Sequence, residues 1–186
     1  MNLPNRLTVA RIILTPFFLA AMIIDFKYHF IVAAVIFAAA SITDFLDGKL
    51  ARKNNQITTF GKLCDPVADK MLTTAALLAF MQLGVCNIWI VMIILTREFL
   101  VTSFRLVATA QGIVIAAGIW GKLKTASQMI FSIVIMIAIH FVDIYNLDFE
   151  KFALVSNILL GITAVLTVVS GVKYIVDGKK VIDFSK

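Results

Sequence analysis

Six runs of apolar residues, at 12–24, 30–42, 71–83, 88–108, 126–141 and 152–175, restrict the fold of this chain more than any other feature. A helix needs about 20 apolar residues to cross the hydrocarbon core of a bilayer. The first two runs fall short, and reach that length only if their helices continue into the polar residues of "TVAR" and "TDFLDGKLAR". Lipid offers the backbone no water, so long apolar segments satisfy their N–H and C=O groups by forming helices. The rest of the chain gives no escape from this reading. With 61% hydrophobic and 15% charged residues among 186, a water-soluble fold would lack the polar surface to cover itself. The expectation is an all-α integral membrane protein of six transmembrane helices. No repeat, low-complexity tract or linker divides it, so 1–186 is read as a single membrane domain.

The first run follows Arg6 and Arg11 in the manner of a secretory signal, but five further runs favour a retained helix. Pro16 predicts a kink or break, and "MNLPNRLTVAR" is expected to form an N-terminal interfacial helix before the chain enters the membrane. Basic residues such as Arg6, Arg11, Lys49, Arg52, Lys122 and Lys180 crowd one set of run ends. The opposite ends carry only Lys27 and Lys151, beside Asp25, Asp143, Asp148 and Glu150. The positive-inside rule then puts both termini in the cytoplasm (N-in/C-in). The net charge of +6 is thus a matter of topology, and no nucleic-acid partner is expected. Cys64 and Cys86 have neither disulfide-framework nor metal-ligand spacing and are read as small packing residues.

One stretch resists the greasy character of the chain: "SITDFLDGKLARKNNQITTFGKLCDPVADKM", residues 41–71. Residues three and four apart share a helix face. Asp44, Asp47, Gly48 and Ala51 therefore form one stripe, and Gly61, Asp65 and Asp69 another, on two antiparallel helices joined by a polar turn. Small residues let such stripes approach. Four converging carboxylates repel one another and resist desolvation. Two divalent cations would cancel their charge. Oxygen-only ligands suit Mg²⁺ or Mn²⁺, which commonly pair a few carboxylates with phosphate oxygens. Arg52, one turn beyond, could hold a phosphate as a bidentate donor. The plainer alternative, solvated acids pairing with Lys49, Lys53 and Lys62, leaves the matched stripes unexplained.

The arrangement Asp44-x2-Asp47-Gly48-x2-Ala51-Arg52-x8-Gly61-x3-Asp65-x3-Asp69 resembles the full signature of the CDP-alcohol phosphatidyltransferases. The resemblance implies a fold of six transmembrane helices with the signature on the second and third. It also implies transfer of a phosphatidyl group from a CDP-linked lipid, CDP-diacylglycerol, to a small alcohol, with CMP leaving. It makes Asp44, Asp47, Asp65 and Asp69 metal ligands and Asp69 also the general base, although a metal ligand is a weak base. It further implies CDP-lipid contacts from Gly48, Arg52 and Thr58, and from Asn5 and Thr8, for which helix capping is the alternative. A homodimer in the cell membrane, with its site at the cytoplasmic face among the membrane lipids, completes what it implies.

The acceptor is read from other residues. "LTREFLVTSFR" sets Arg97, Glu98, Thr102 and Arg105 along about two turns within a span. Charges so placed face the bundle interior and carry function. "GKLKTASQ" brings Lys122 and Lys124 to the start of the fifth helix, where free N–H groups add to an anion site. Arg97, Arg105, Lys122 and Lys124 together suit an acceptor that is itself a phosphate ester. Glycerol 3-phosphate is the first candidate; inositol phosphate and serine are rivals. Lys122 and Lys124 could instead bind anionic headgroups, and Glu98 could simply neutralise an arginine. With "NLPNRLTVAR" and "DPVADK", these motifs resemble the family members that act on glycerol 3-phosphate.

A transporter would place its charge near mid-span in matched halves, which this chain does not, and a scaffold would not need ligand spacing. His29 and His140 are read as interfacial packing, and Trp89, Tyr28, Tyr145 and Tyr174 as aromatic belts. Trp120 fits either a belt or the acceptor pocket, and "DGKKVIDFSK" is a basic tail with no assigned chemistry.

Overall fold

The computed structural model describes residues 3–53, 59–111 and 118–179. Among these residues six α-helices follow one another: α1 (Leu3–Ile23), α2 (His29–Lys53), α3 (Thr59–Gln82), α4 (Ile88–Ala110), α5 (Ile119–Tyr145) and α6 (Phe149–Lys179). Among the described residues there is no strand. The short second run does become a long helix by extension, since α2 continues through Asp44, Asp47 and Arg52 to Lys53. Likewise α3 starts at Thr59, well ahead of its apolar run.

The expected separate interfacial helix is not found, because residues 3–23 form a single helix that runs through Pro16. Two local facts explain this. Pro4 stands in the first turn, where its missing N–H is not needed. Pro16 removes only the one interior bond to the Ile12 carbonyl, and it stands on the exposed side of the helix.

The helices on the far side of the molecule from the aspartates are well capped. Asn87 accepts from the Trp89 amide at 2.9 Å to start α4, and its own amide donates to the Asn157 side chain at 2.7 Å. Asn146 ends α5 in the left-handed region at φ 48°. Asp148 accepts from the Glu150 and Lys151 amides to open α6. Its bond to the Lys151 ammonium, with these amides, holds its carboxyl below the ordinary range. His29 and His140 are buried here against aromatic rings, the former's Nδ1 3.1 Å from the Ala21 carbonyl, in keeping with a packing role. Cys86 is buried as well, and desolvation pushes its thiol up to about 12.

Helix α1 packs on α2 and α3, α5 packs on α2 and α6, and α4 packs on α6. Buried alanines (Ala33, Ala34, Ala40, Ala75, Ala76 and Ala79) let the first three helices close together around Phe18, Phe37 and Phe80. Between helices in lipid the gain is contact rather than water release, so small residues matter more than large ones. The pattern on α6 is inverted relative to a water-soluble helix. Ser156, Thr163, Thr167 and Ser170 are buried, whereas Val155, Ile158, Ile162, Val165 and Val172 are exposed. Among the described residues two helices, Ile119–Tyr145 and Phe149–Gly178, are long and apolar enough to cross a membrane; Leu7–Ile23 and His29–Thr43 are shorter apolar stretches.

Candidate active site

Residues 44, 47, 48 and 52 lie on α2, and residues 61, 65 and 69 lie on α3, so the three- and four-residue spacings do become helical stripes. The two helices touch. The side chains of Asp44, Asp47, Gly48, Arg52, Asp65 and Asp69, and the whole of Thr58, lie outside the described residues. Donor chemistry is the test of fit for a metal here. Four carboxylates match a hard divalent cation such as Mg²⁺ or Mn²⁺ and do not match zinc.

Helix α1, which packs on both of these helices, presents a buried polar face to the bundle. Asn5, Thr8 and Arg11, three apart, are 8%, 0% and 2% exposed. The burial of Arg11 adds to its place among the basic residues at the run ends. Its place on the Asn5–Thr8 stripe was the sequence signal, since a buried guanidinium demands polar partners.

A cavity of about 510 Å³ opens where α3, α4, α5 and α6 meet. Lys70 enters it from α3, Arg97, Glu98, Thr102 and Arg105 from α4, Trp120 and Gly121 from α5, and Ser170, Lys173, Tyr174 and Asp177 from α6. Lys70 is the chain neighbour of Asp69, so the cavity adjoins the aspartate-bearing segment of α3.

Each cation in the cavity is held differently. Arg97 donates through Nη1 to Glu98 Oε1 at 3.0 Å and through Nη2 to Ser170 Oγ at 2.9 Å. Its aliphatic stem crosses α6 at Gly171, where a Cβ would stand 2.8 Å from Arg97 Cγ. Arg105 sits over the Tyr174 ring, with Nε 3.4 Å from the phenol oxygen. Among the described residues no other side chain bonds the Arg105 guanidinium, and Lys173 makes no ion pair, so both offer N–H groups to an anion.

The expected acceptor set is therefore divided by the structure. Arg97 and Arg105 line the cavity. Lys124 does not line it: the residue is 3% exposed, and its Nζ lies 2.6 Å from Glu98 Oε1. Lys122 is exposed and also absent from the lining. Helical register explains why one of these lysines is buried and the other exposed, because two residues along α5 turn a side chain through about 200°. Tyr174 must be corrected too. It is a buried pocket residue at 8% exposure, not part of an aromatic belt. Trp120, whose reading was open, lines the cavity. Lys173 and Asp177 escaped the sequence reading because they sit near the end of α6, and Lys70 because it stands at the edge of an apolar run, where basic and acidic residues are ordinary. The one available signal was the i, i+4 pair Lys173 and Asp177 flanking Tyr174.

Residues 1–169 match the model of the CDP-alcohol phosphatidyltransferase family, and the chain belongs to that family. It is 39% identical to the CDP-diacylglycerol–glycerol-3-phosphate 3-phosphatidyltransferase of Bacillus subtilis (strain 168), over 93% of each chain. The protein of that name from Rickettsia bellii (strain RML369-C) is 35% identical over 96% of each chain. A probable phosphatidylglycerophosphate synthase of Mycobacterium tuberculosis (strain ATCC 25618 / H37Rv) is 37% identical, over 94% of this chain and 80% of the relative.

Proposed function

We propose that this transferase moves the phosphatidyl group of CDP-diacylglycerol to glycerol 3-phosphate, giving phosphatidylglycerophosphate and CMP. The observation that carries the reading is the basic cavity beside Asp69, with Arg105 and Lys173 offering free N–H groups where a phosphate ester would sit. The relatives' names supply the two substrates. Arg97 and Lys70 add positive charge to the wall, and Lys122 and Lys124 keep, at most, an indirect part.

In this reading Asp44, Asp47, Asp65 and Asp69 hold two Mg²⁺ or Mn²⁺ ions. When bound, these ions would supply charge stabilisation at the diphosphate. Gly48, Arg52 and Thr58, with Asn5 and Thr8 from α1, bind the CDP part of the donor. Arg105 and Lys173 fix the acceptor's phosphate, which leaves its far hydroxyl to face α3. Asp69 accepts that hydroxyl's proton as the oxygen bonds to the phosphatidyl phosphorus, and the bond to the CMP oxygen breaks. Holding the nucleophile in one place removes much of the barrier for such a bimolecular step.

The protein then works as a multi-pass cell-membrane enzyme with six spans, both termini and the active site cytoplasmic, and as a homodimer. Charge bias between the helix ends supports the orientation, and the aliphatic outer surface of α6 supports lipid exposure. The test is CMP release by purified protein supplied with CDP-diacylglycerol, Mg²⁺ and glycerol 3-phosphate. Release with serine or inositol phosphate alone would overturn the acceptor.

A further inference from the structure

The cavity proposed for an anion contains a carboxylate, and that carboxylate gathers cations from three helices. Glu98 Oε1 is 2.6 Å from Lys124 Nζ on α5 and 3.0 Å from Arg97 Nη1 on α4. Its Oε2 is 3.7 Å from Lys70 Nζ on α3. Through Arg97 Nη2 and Ser170 the same cluster reaches α6 at 2.9 Å. The side chains of Glu98 and Lys124 are 19% and 4% exposed, so these pairs are only weakly screened.

By charge alone a carboxylate here is harmful, because it repels a phosphate at short range. Its benefit must lie elsewhere. Arg97 and Lys70 in the wall and the buried Lys124 behind it cannot crowd together without a counter-ion, and Glu98 stands between all three. Arg97 is directed by it: one Nη is turned to Glu98, the other to Ser170, and the stem is pressed against Gly171. Lys70 is drawn toward α4 by the same group, and Lys70 neighbours Asp69 in the chain.

We propose that Glu98 is a positioning residue for the acceptor: it fixes Arg97 and Lys70 in the cavity wall and ties that wall to the aspartate-bearing segment of α3. The assignment rests on the reading of the cavity as the site for glycerol 3-phosphate. It makes Lys124 the buried counter-ion of Glu98 and no ligand of the substrate.

The two roles of a carboxylate predict opposite signs. A double variant, Glu98→Gln with Lys124→Met, removes one charge of each sign and leaves no buried lysine unpaired. Steady-state CMP release by this variant and by wild type, varying each substrate in turn, reads the effect. The expected result is a KM for glycerol 3-phosphate raised about tenfold or more, with the KM for CDP-diacylglycerol within about twofold. An acceptor KM that stays the same or falls would overturn the positioning role, leaving Glu98 as the counter-ion of Lys124. Wild-type protein that releases no CMP with glycerol 3-phosphate would remove the acceptor reading and the positioning role together. Should the double variant not fold, Lys70→Met cuts only the α3 arm at a partly exposed lysine. A rise of about threefold in acceptor KM is then expected, and a wild-type value would count against the role.

Discussion

Arg105 and Tyr174 join α4 to α6 at the cavity wall: the guanidinium carbon lies 5.7 Å from the ring centroid, and Nε lies 3.4 Å from the phenol oxygen. The hydrogen bond is long and therefore weak, and the ring's grip on an exposed cation such as Arg105 contributes about 0.5–1 kcal/mol. A difference of 1.4 kcal/mol is about tenfold in affinity. Tyr174→Ala should therefore raise the KM for glycerol 3-phosphate by about threefold to fivefold, and Tyr174→Phe by less than about twofold. Steady-state kinetics with the acceptor varied gives both numbers. Equal effects would assign the orientation of Arg105 to the hydroxyl.

Lys173 and Lys122 test which lysine meets the phosphate. Lys173 lines the cavity and makes no ion pair among the described residues, while Lys122 is exposed outside the lining. Hydrogen bonds to a charged group contribute about 1.5–3 kcal/mol. Lys173→Ala should raise the acceptor KM by about tenfold or more, and Lys122→Ala by less than about twofold. The reverse order would return Lys122 to the site.

Two glycines approach the Arg97 side chain and should respond differently to alanine. A Cβ at Gly171 would meet Arg97 Cγ at 2.8 Å; one at Gly121 would lie 3.9 Å from Nη2, an ordinary contact. Arg97 cannot swing away freely, since Glu98 and Ser170 hold its far end. Mid-helix alanine is otherwise favoured over glycine by about 0.5–1 kcal/mol. Gly171→Ala should thus lower kcat/KM for glycerol 3-phosphate by about tenfold or more while Gly121→Ala stays near wild type. Similar values for the two would mean that Arg97 is free to move.

Much of this arrangement was legible in the sequence, and the reasons are physical. Apolar runs mark helices because lipid forbids other backbone solutions, and the extension of α2 past Asp44 and Asp47 followed from the length a bilayer requires. Arg97, Glu98 and Arg105 announced themselves as charges inside an apolar run. Spacing fixes faces on one helix, however, not the contacts between helices. So Glu98 and Lys124, 26 residues apart, could not be paired beforehand, nor could Tyr174 be moved from a belt into the pocket. Arg11 shows the same limit, since a basic residue just ahead of an apolar run reads alike whether exposed or, as here, buried.

Cys86 provides a test at the opposite end of the molecule. Burial raises its thiol to about 12, against about 8.5 for a free cysteine. Because folding favours the protonated form, the stabilisation is full below the unfolded value and is lost as pH rises through the folded one. The same protonation protects against alkylation, which requires the thiolate. In a Cys64→Ala background at pH 8.5, iodoacetamide should label Cys86 at least about a hundredfold more slowly in native than in denatured protein, by mass spectrometry. Equal labelling rates would contradict the burial.

The aspartates carry the final prediction. Chelation by EDTA should abolish CMP release, and added Mg²⁺ or Mn²⁺ should restore it, because carboxylates alone present only negative charge to a diphosphate. Asp65→Asn or Asp69→Asn keeps shape but removes a charge from the proposed ligand set. Each should reduce turnover at least about a hundredfold, the scale expected when a catalytic base or an electrostatic stabiliser is lost. Membrane fractionation and thermal melts should remain close to wild type, since asparagine is better tolerated than an unpaired carboxylate at a crowded helix end. The two substitutions also differ in a way that separates their roles. If Asp69 moves the proton as well as holding metal, excess Mg²⁺ should partly rescue Asp65→Asn and leave Asp69→Asn inactive. Equal rescue of both would strip Asp69 of the base role, and wild-type turnover in either variant would remove that residue from the site.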